Sequence, residues 1–276
     1  MNLSELETLT YDIRADVVKM INSAESGHPG SSLSMVELTA LLFFRIMDFD
    51  PENPRWPQRD RFVLSKGHGV PTLYSVLARA GYFPVEELSD LRKYGSPLQG
   101  HPDYSRLPAV EASTGSLGQG LSIAAGITLA AEQLNEDFHT FCLLGDGELD
   151  EGQVWEAAAF SAHHDLGDLT AVVDYNKFQL DGSIEEILEL EPLTEKWQSF
   201  GWQVREIDGH DLEAVDSAYR WSQKQPDTPR VIIAHTVKGK GVSFMENNND
   251  FHGTAPDDKE TEQALAELKQ ARQEVK

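Results

Sequence analysis

Two kinds of hydrophobic pattern alternate along the chain, and they predict alternating strands and helices. Short continuous runs of Val, Ile and Leu are typical of strands that are buried on both faces of a sheet. The clearest runs are residues 140–144, 170–173 and 230–235. Helix-period stretches lie between them at 153–163 and at 212–223, where Asp211 is the expected N-cap. This order predicts an α/β fold in which a parallel sheet carries helices on both faces.

Glycine residues follow two of the predicted strands, Gly145 and Gly147 after one and Gly239 and Gly241 after another. In open parallel sheets, ligands bind in the crevice outside the carboxyl ends of the strands. We therefore expect the functional site at this edge of the sheet.

The chain shows no internal repeat and no Ser/Pro-rich linker, so we expect residues 1–276 to form a single domain. The first twenty residues carry spaced leucines among acidic residues, which predicts an amphipathic helix rather than a secretion signal. In the charged tail, residues 257–276, Leu265 and Leu268 have helical spacing. The tail is expected to be a helix or an interface segment rather than a source of chemistry.

Composition narrows the choice of partners and compartment. The 276 residues are 40% hydrophobic, enough for a substantial core, and 23 basic against 46 acidic residues give a net charge of −23. Such a charge repels nucleic acid and anionic membranes, so neither is a predicted partner, and a phosphate site would need backbone N–H groups or a metal ion. Cys142 is the one cysteine and lies in an apolar run, which predicts a buried thiol and a cytoplasmic protein.

One motif predicts a metal and diphosphate site. Gly145-Asp146-Gly147 follows a predicted strand, and Asn176 follows the next strand, 30 residues after Asp146. Mg²⁺ prefers hard oxygen ligands, which Asp146, Asn176 and a backbone carbonyl such as that of Phe178 would supply. Gly147 would let the backbone approach a diphosphate closely. The alternative is an ordinary turn followed by an asparagine cap, and the paired position of the two turns favours the metal site.

Four of the nine histidines lie beside glycine in Gly- or Pro-containing turns: His28, His68, His101 and His252. Neutral imidazoles bind hydroxyl groups and transfer protons near neutral pH, which suits a polyhydroxylated carbonyl substrate. The remaining histidines are expected to be ordinary core or surface residues. They are His139, His163, His164, His210 and His235.

The Gly-Asp-Gly motif with its distant asparagine resembles the thiamine diphosphate motif shared by transketolases, decarboxylases and 2-oxoacid dehydrogenases. The four histidine turns and the segment 113–120, Ser-Thr-Gly-Ser-Leu-Gly-Gln-Gly, resemble transketolase in particular, over nearly the whole chain. This resemblance implies the diphosphate-binding (PP-type) fold of that family. It also implies thiamine diphosphate and Mg²⁺, or Ca²⁺ or Mn²⁺ in its place, as cofactors.

The resemblance also implies roles for individual residues. The implied cofactor contacts are Ser31, His68, Gly115, Ser116, Leu117, Gly147, Asn176, Lys238 and His252. The implied metal ligands are Asp146, Asn176 and the Phe178 carbonyl. The implied catalytic residues are His28, His68, His101, His252 and Glu151, the last at a subunit interface. Two alternatives stay open: Glu151 could simply stabilise a helix start, and Lys238 could be a solvated loop lysine.

Transketolases activate the cofactor through a glutamate of a second, pyrimidine-binding domain, which also carries arginines that bind the sugar phosphate. We expect this chain to lack that domain and the C-terminal domain. The chain thus resembles the N-terminal subunit of a split transketolase. Such a subunit would transfer a two-carbon ketol unit from a ketose phosphate to an aldose phosphate, with pentose phosphates as default substrates. It would be active only with a C-terminal partner subunit, in a heterotetramer of two pairs.

Two other functions compete with this interpretation. A 1-deoxyxylulose-phosphate-synthase-like thiamine enzyme would share the diphosphate-binding part of the cofactor site, although the His101 and His252 turns favour transketolase. A non-catalytic scaffold subunit would keep the fold but would have no need for Asp146 or His68. A dinucleotide enzyme is disfavoured, because no Gly-x-Gly-x-x-Gly opens a helix after an early strand.

Overall fold

The computed structural model of the chain describes residues 1–224 and 227–275. Within these residues the sheet has five parallel strands in the order β1-β2-β3-β5-β4. The strands are β1 (Arg61–Leu64), β2 (Thr140–Gly145), β3 (Leu169–Tyr175), β4 (Gln203–Asp208) and β5 (Arg230–His235). All three predicted strands are confirmed as β2, β3 and β5. The predicted parallel α/β fold is therefore confirmed.

The two strands that the sequence analysis did not predict form the two edges of the sheet. β1 is buried but only four residues long, so its apolar run is too short to stand out. β4 is partly or fully exposed along its length and carries charged residues, so it contains no continuous apolar run. An edge strand pairs on one side only, and its exposed side chains can remain polar.

The strands are connected mainly by helices. The α-helices are α1 (Leu3–Ala24), α2 (Pro29–Ser34), α3 (Val36–Leu41), α4 (Val70–Arg79), α5 (Gln119–Leu134), α6 (Gly152–His163), α7 (Ile184–Ile187), α8 (Leu193–Ser199), α9 (Leu212–Ser222) and α10 (Asp258–Glu274). A π-helix, Leu42–Ile46, follows α3, and 3₁₀ turns span Gly67–Gly69, Val85–Asp90, Gly147–Asp150 and Asn249–Phe251. The Asp211 carboxylate accepts hydrogen bonds from the backbone N–H groups of Glu213 and Ala214, which confirms the predicted N-cap of α9.

Side chains along the central strands alternate between two hydrophobic cores. Phe141 and Leu143 face a core built with α1, α3, α4 and α9. Cys142 and Leu144 face the opposite core, built with α5, α6 and α8. Burial raises the pKa of the Cys142 thiol well above its usual value, so the thiol behaves as a small apolar group, as predicted.

Most of the charged tail forms α10, which packs on α1. Asp257 and Glu260 form a capping box at its start. Leu268 is buried beneath it, and Arg272 donates a hydrogen bond of 2.8 Å to Asp12 of α1. The tail therefore covers α1 and lies outside the chemistry of the sheet edge.

Candidate active site

A cavity of about 260 Å³ lies at the carboxyl ends of the strands, where the glycine pattern predicts a site. The turns after β1, β2 and β3 line it, together with loops from before α2 and after β5. Most predicted site residues are among the lining residues: His28, Ser31, His68, His101, Gly115, Leu117, Asp146, Gly147, Asn176, Phe178 and His252. Three predicted residues, Ser116, Lys238 and Glu151, lie outside the lining.

The turns after β2 and β3 lie side by side. Gly145 is paired in register with Asp174, so the next residues of each strand leave the sheet at the same edge. Asp146 accepts a hydrogen bond of 2.8 Å from the Gly147 N–H through one carboxylate oxygen, and its other oxygen accepts one from the Lys177 N–H. Asp146 therefore connects its own turn to the turn that carries Asn176.

Asp146 is a buried acid without a basic partner. Its side chain is only 1% exposed, and the described part of the chain places no lysine, arginine or histidine nitrogen within ion-pair distance of it. Burial, and next the charge of Asp174, raise the pKa of Asp146 to about 7. The Asn176 side-chain oxygen accepts a hydrogen bond of 3.1 Å from the Phe178 N–H. These oxygens suit a hard divalent cation, whose charge would offset the buried carboxylate.

Within the described residues, no three acidic, histidine or cysteine side chains are grouped so that they could hold a metal by themselves. A cation at Asp146 would therefore also need amide, backbone or ligand oxygens. Mg²⁺ commonly binds in that way, with few protein groups and several phosphate or water oxygens.

Two glycines of the cavity are required by close contacts. Gly115 has φ of +131°, and a Cβ atom there would lie 2.8 Å from Cδ2 of His101. A Cβ atom on Gly147 would lie 2.6 Å from Cβ of Gln179. Gly147 thus permits a close approach of the loop after Asn176, a contact that the sequence analysis did not anticipate.

The four predicted turn histidines form one cluster, named here the histidine cluster: His28, His68, His101 and His252. The His28 ring centroid lies 5.2 Å from His68, 6.3 Å from His101 and 5.8 Å from His252. Burial lowers the pKa of each ring, to about 4 for His28 and about 3 for His252. The imidazoles are therefore neutral near pH 7 and can accept protons and hydrogen bonds from hydroxyl groups.

Lys66 is a cavity residue that the sequence analysis missed. Its Nζ forms an ion pair with Asp174 and donates a hydrogen bond of 3.0 Å to the Ser31 carbonyl, and its side chain is 1% exposed. Burial alone would raise the pKa of Asp174, but Lys66 and hydrogen bonds from Ser34 and Thr236 lower it. Lys66 belongs to the Ser-Lys-Gly-His-Gly turn, residues 65–69, which also carries His68. This position in the sequence could have indicated that Lys66 lies at the cavity.

Glu148 is a second cavity residue that the sequence did not predict, and it connects loops around the cavity. One of its oxygens accepts hydrogen bonds from the Ser65 hydroxyl and from the Gly118 N–H at 2.8 Å, and the other accepts one of 3.0 Å from the Gly145 N–H. Glu148 therefore joins the turns after β1 and β2 to the start of α5. The motif Gly145-Asp146-Gly147 ends beside it, but nothing in the sequence shows which loops it connects.

Lys238 is buried, so the alternative of a solvated lysine is wrong. Its Nζ donates a hydrogen bond of 2.5 Å to Asn249 and lies 2.8 Å from Nδ1 of His252. Burial, and next the charge of Lys66, lower the pKa of Lys238 to about 8. Lys238 thus positions His252, which lines the cavity.

Three side chains hold the turn that carries Lys238: the buried Arg14 and Glu37, and the partly buried His210. Arg14 binds both oxygens of Glu37 at 2.6 and 2.8 Å and donates to the Lys240 carbonyl at 2.9 Å. His210 lies 3.0 Å from Glu37 through Nδ1, and its Nε2 accepts a hydrogen bond of 2.8 Å from the Val237 N–H. His210 was expected to be an ordinary core or surface residue, and the sequence did not predict its contacts with Glu37 and with the turn after β5.

Glu151 lies at the start of α6, outside the cavity, and is exposed. Its side chain makes no capping hydrogen bond to the helix. Any stabilisation of the helix start by Glu151 would therefore come from its charge alone, and the carboxylate is free to meet another surface.

The sequence profile described as "Transketolase, thiamine diphosphate binding domain" matches residues 7–273. The chain belongs to the transketolase family. SqwG, the 6-deoxy-6-sulfo-D-fructose transketolase subunit of Clostridium sp. (strain MSTE9), is 45% identical over 256 residues, which are 93% of this chain and 93% of that protein. An apulose-4-phosphate transketolase subunit from Actinobacillus succinogenes is 40% identical over 270 residues, 98% of each. The predicted resemblance to the N-terminal subunits of split transketolases is confirmed.

Solved transketolase structures share the fold. Transketolase from Leishmania mexicana superimposes with a TM-score of 0.91 at 29% identity, over 99% of this chain and 41% of that one. The chain therefore spans about two fifths of the length of this full-size transketolase. The thiamine diphosphate-binding fold expected from the sequence is confirmed. Within the described residues, no helix is both long and apolar enough to cross a bilayer.

Proposed function

We propose that this chain is the thiamine diphosphate-binding subunit of a two-component transketolase. It would transfer a two-carbon ketol unit from a ketose phosphate to an aldose phosphate, together with a partner subunit. The proposal is carried by one observation: the buried Asp146, the Asn176 turn and the neutral histidine cluster meet on one cavity. A scaffold subunit would gain nothing from a buried acid without a basic partner.

The cavity fits the cofactors of the family. Asp146, Asn176 and the Phe178 carbonyl would hold Mg²⁺, or Ca²⁺ or Mn²⁺, since a cation would offset the buried Asp146 charge. Thiamine diphosphate, when bound, supplies the electron sink for cleavage of the carbon–carbon bond. The residues proposed to contact it are Ser31, His68, Gly115, Ser116, Leu117, Gly147, Asn176, Lys238 and His252.

The histidine cluster would bind and deprotonate the sugar. Nδ1 of His28 is buried and has no hydrogen-bond partner, so it is available to a substrate hydroxyl. Because the rings of His28, His101 and His252 are neutral near pH 7, they can accept a proton without first losing one. Lys238 would keep the His252 ring in place through the contact at Nδ1.

A partner subunit would complete the site. The cavity, about 260 Å³, is smaller than the roughly 300–1,000 Å³ of most small-molecule sites, which suits a site whose remaining walls come from another chain. The partner would carry the pyrimidine-binding domain, and the exposed Glu151 would face it in a heterotetramer of two pairs. The two relatives described above are named as subunits, in keeping with this assembly. A cytoplasmic location is part of the proposal.

Reconstitution tests the proposal. The chain, alone and with a co-expressed pyrimidine-binding subunit, is assayed for ketol transfer with Mg²⁺ and thiamine diphosphate. Donors are D-xylulose 5-phosphate, 6-deoxy-6-sulfo-D-fructose, apulose 4-phosphate and pyruvate, because the relatives act on sulfo-sugar or apulose substrates by name. Transfer from one of the sugars should require both subunits. Full activity of the isolated chain would refute partner dependence, use of pyruvate would favour the 1-deoxyxylulose-phosphate-synthase type, and cofactor binding without any transfer would favour a scaffold.

A further inference from the structure

Arg92 lies beside the histidine cluster, and two short segments hold its guanidinium. Its Nη1 donates a hydrogen bond of 3.0 Å to the Ser26 hydroxyl, two residues before His28. Its Nη2 lies 3.5 Å from the carbonyl of Gly100, the residue before His101. The guanidinium thus bridges the two turns that carry the substrate-facing histidines.

The local backbone is shaped to hold Arg92 in this place. Arg92 has φ of 62°, a left-handed conformation that few residues other than glycine adopt, and its N–H donates to the Leu98 carbonyl at 2.8 Å. A Cβ atom on Gly100 would lie 2.7 Å from the guanidinium carbon of Arg92. With glycine at position 100, the guanidinium can lie against this backbone without a side chain in between.

Arg92 has no carboxylate partner within residues 1–224 and 227–275, although acidic residues outnumber basic ones two to one. Eight other arginines pair with Asp or Glu: Arg14, Arg45, Arg59, Arg61, Arg79, Arg106, Arg220 and Arg272. After burial, the Arg92 charge is the largest contribution that lowers the pKa values of His28 and His101. An unneutralised positive charge is therefore present beside the cavity.

We propose that Arg92 binds the anionic end group of the sugar substrate, a phosphate ester or a sulfonate, alongside the arginines expected in the partner's pyrimidine-binding domain, and is a specificity-determining residue. This inference rests on the proposed transketolase function. In such a sugar, the anionic end group lies several carbons from the carbonyl group that reacts. If the carbonyl lies in the cavity, the end group would lie outside it, where the exposed Arg92 is placed beside the histidine cluster. A guanidinium stays charged and offers paired N–H donors to oxyanions. It would also counter the field of a chain whose net charge is −23.

The test compares charged and uncharged donors in the reconstituted complex. Arg92→Gln and Arg92→Lys are assayed with D-xylulose 5-phosphate, 6-deoxy-6-sulfo-D-fructose and the uncharged ketose L-erythrulose. Arg106→Gln is the matched control, because Arg106 is also exposed and follows His101 by five residues in the chain, but pairs with Asp103 at 3.3 Å. For Arg92→Gln, kcat/KM for an anionic donor should fall about tenfold relative to L-erythrulose, through KM, which corresponds to about 1.4 kcal/mol. Arg92→Lys should recover part of this ratio, and Arg106→Gln should leave it unchanged.

The outcomes separate the possible roles of Arg92. A selective loss with the phosphate donor or with the sulfonate donor supports the proposal and identifies the end group. An equal loss with all three donors would overturn it, since Arg92 would then only position the His28 and His101 turns. Loss of assembly with the partner, measured by light scattering, would also overturn it in favour of a contact with a partner carboxylate. Wild-type activity on L-erythrulose tests the transketolase function separately from this inference.

Discussion

Replacing Glu37 by Gln should destabilise the protein and loosen the turn that carries Lys238. Glu37 is 7% exposed and binds Arg14 through both oxygens and His210 through one. The substitution keeps the shape of the side chain but removes the negative charge and replaces one of the two acceptor oxygens by an N–H donor. It would leave the Arg14 guanidinium, whose side chain is 2% exposed, buried without a counter-charge.

The structure sets the expected size of this effect. Burial alone would raise the pKa of Glu37, but the Arg14 charge and the contact with His210 lower it to about 2. Relative to the ordinary value of 4.5, this shift corresponds to roughly 3 kcal/mol of stability. Removal of one member of a buried pair commonly costs about 3–5 kcal/mol, which brackets the same value. Because the folded-state pKa is depressed, this stability is fully present above about pH 4.5 and is lost as the pH falls toward about 2.

Urea unfolding of the wild-type protein and of Glu37→Gln measures the difference in the free energy of unfolding. The difference should be constant between about pH 8 and about pH 5 and shrink below about pH 4. Asp216→Asn is the control, because Asp216 pairs with Arg45 and Arg220 near the surface and should cost no more than about 1 kcal/mol. Calorimetry with Mg²⁺ should show weaker thiamine diphosphate binding for Glu37→Gln. If Glu37→Gln and Asp216→Asn had the same free energy of unfolding, the buried pair of Arg14 and Glu37 would not contribute the expected stability.

Two further substitutions test the cavity itself. Asp146→Asn should abolish Mg²⁺-dependent thiamine diphosphate binding in calorimetry while far-UV circular dichroism stays native; unchanged binding would remove Asp146 from the proposed metal site. Gly115→Ala should destabilise the protein by about 1–3 kcal/mol, because φ is +131° and the new methyl group would meet His101. Gly126→Ala, in the exposed part of α5 with no atom within 4 Å of the new Cβ, should instead be neutral or stabilising by up to about 1 kcal/mol. If both alanine variants unfolded at the same denaturant concentration, the backbone conformation of Gly115 would not be the reason that glycine stabilises the protein there.

Local patterns predict part of this molecule well. The central strands β2, β3 and β5 are buried on both faces, so each appears in the sequence as a continuous apolar run. Parallel strands place their carboxyl ends at one edge, and this rule brings Asp146 and Asn176 together without knowledge of the intervening helix. The turn histidines could be predicted because glycine and proline mark turns, and turns at that edge surround the cavity.

Long-range ion pairs and side-chain hydrogen bonds could not be predicted from such patterns. Lys66 and Asp174 are 108 residues apart, and Arg14 reaches the Lys240 carbonyl across 226 residues. Each residue alone has the character of a surface charge, and only the packed fold makes it buried and paired. His210 shows the same limit, because its role depends on Glu37 from α3 and on a backbone N–H after β5.

The two buried aspartates at this edge show why binding and stability should be linked here. Asp174 is 0% exposed and has Lys66 as its partner, so its charge is offset within the chain. Asp146 is 1% exposed and has no such partner among the described residues, so its burial stays costly above its pKa of about 7. A divalent cation at Asp146 would offset the negative charge of its carboxylate, as Lys66 offsets that of Asp174. Because such a cation binds the folded chain and not the unfolded one, it should raise the free energy of unfolding in proportion to the logarithm of its concentration above Kd.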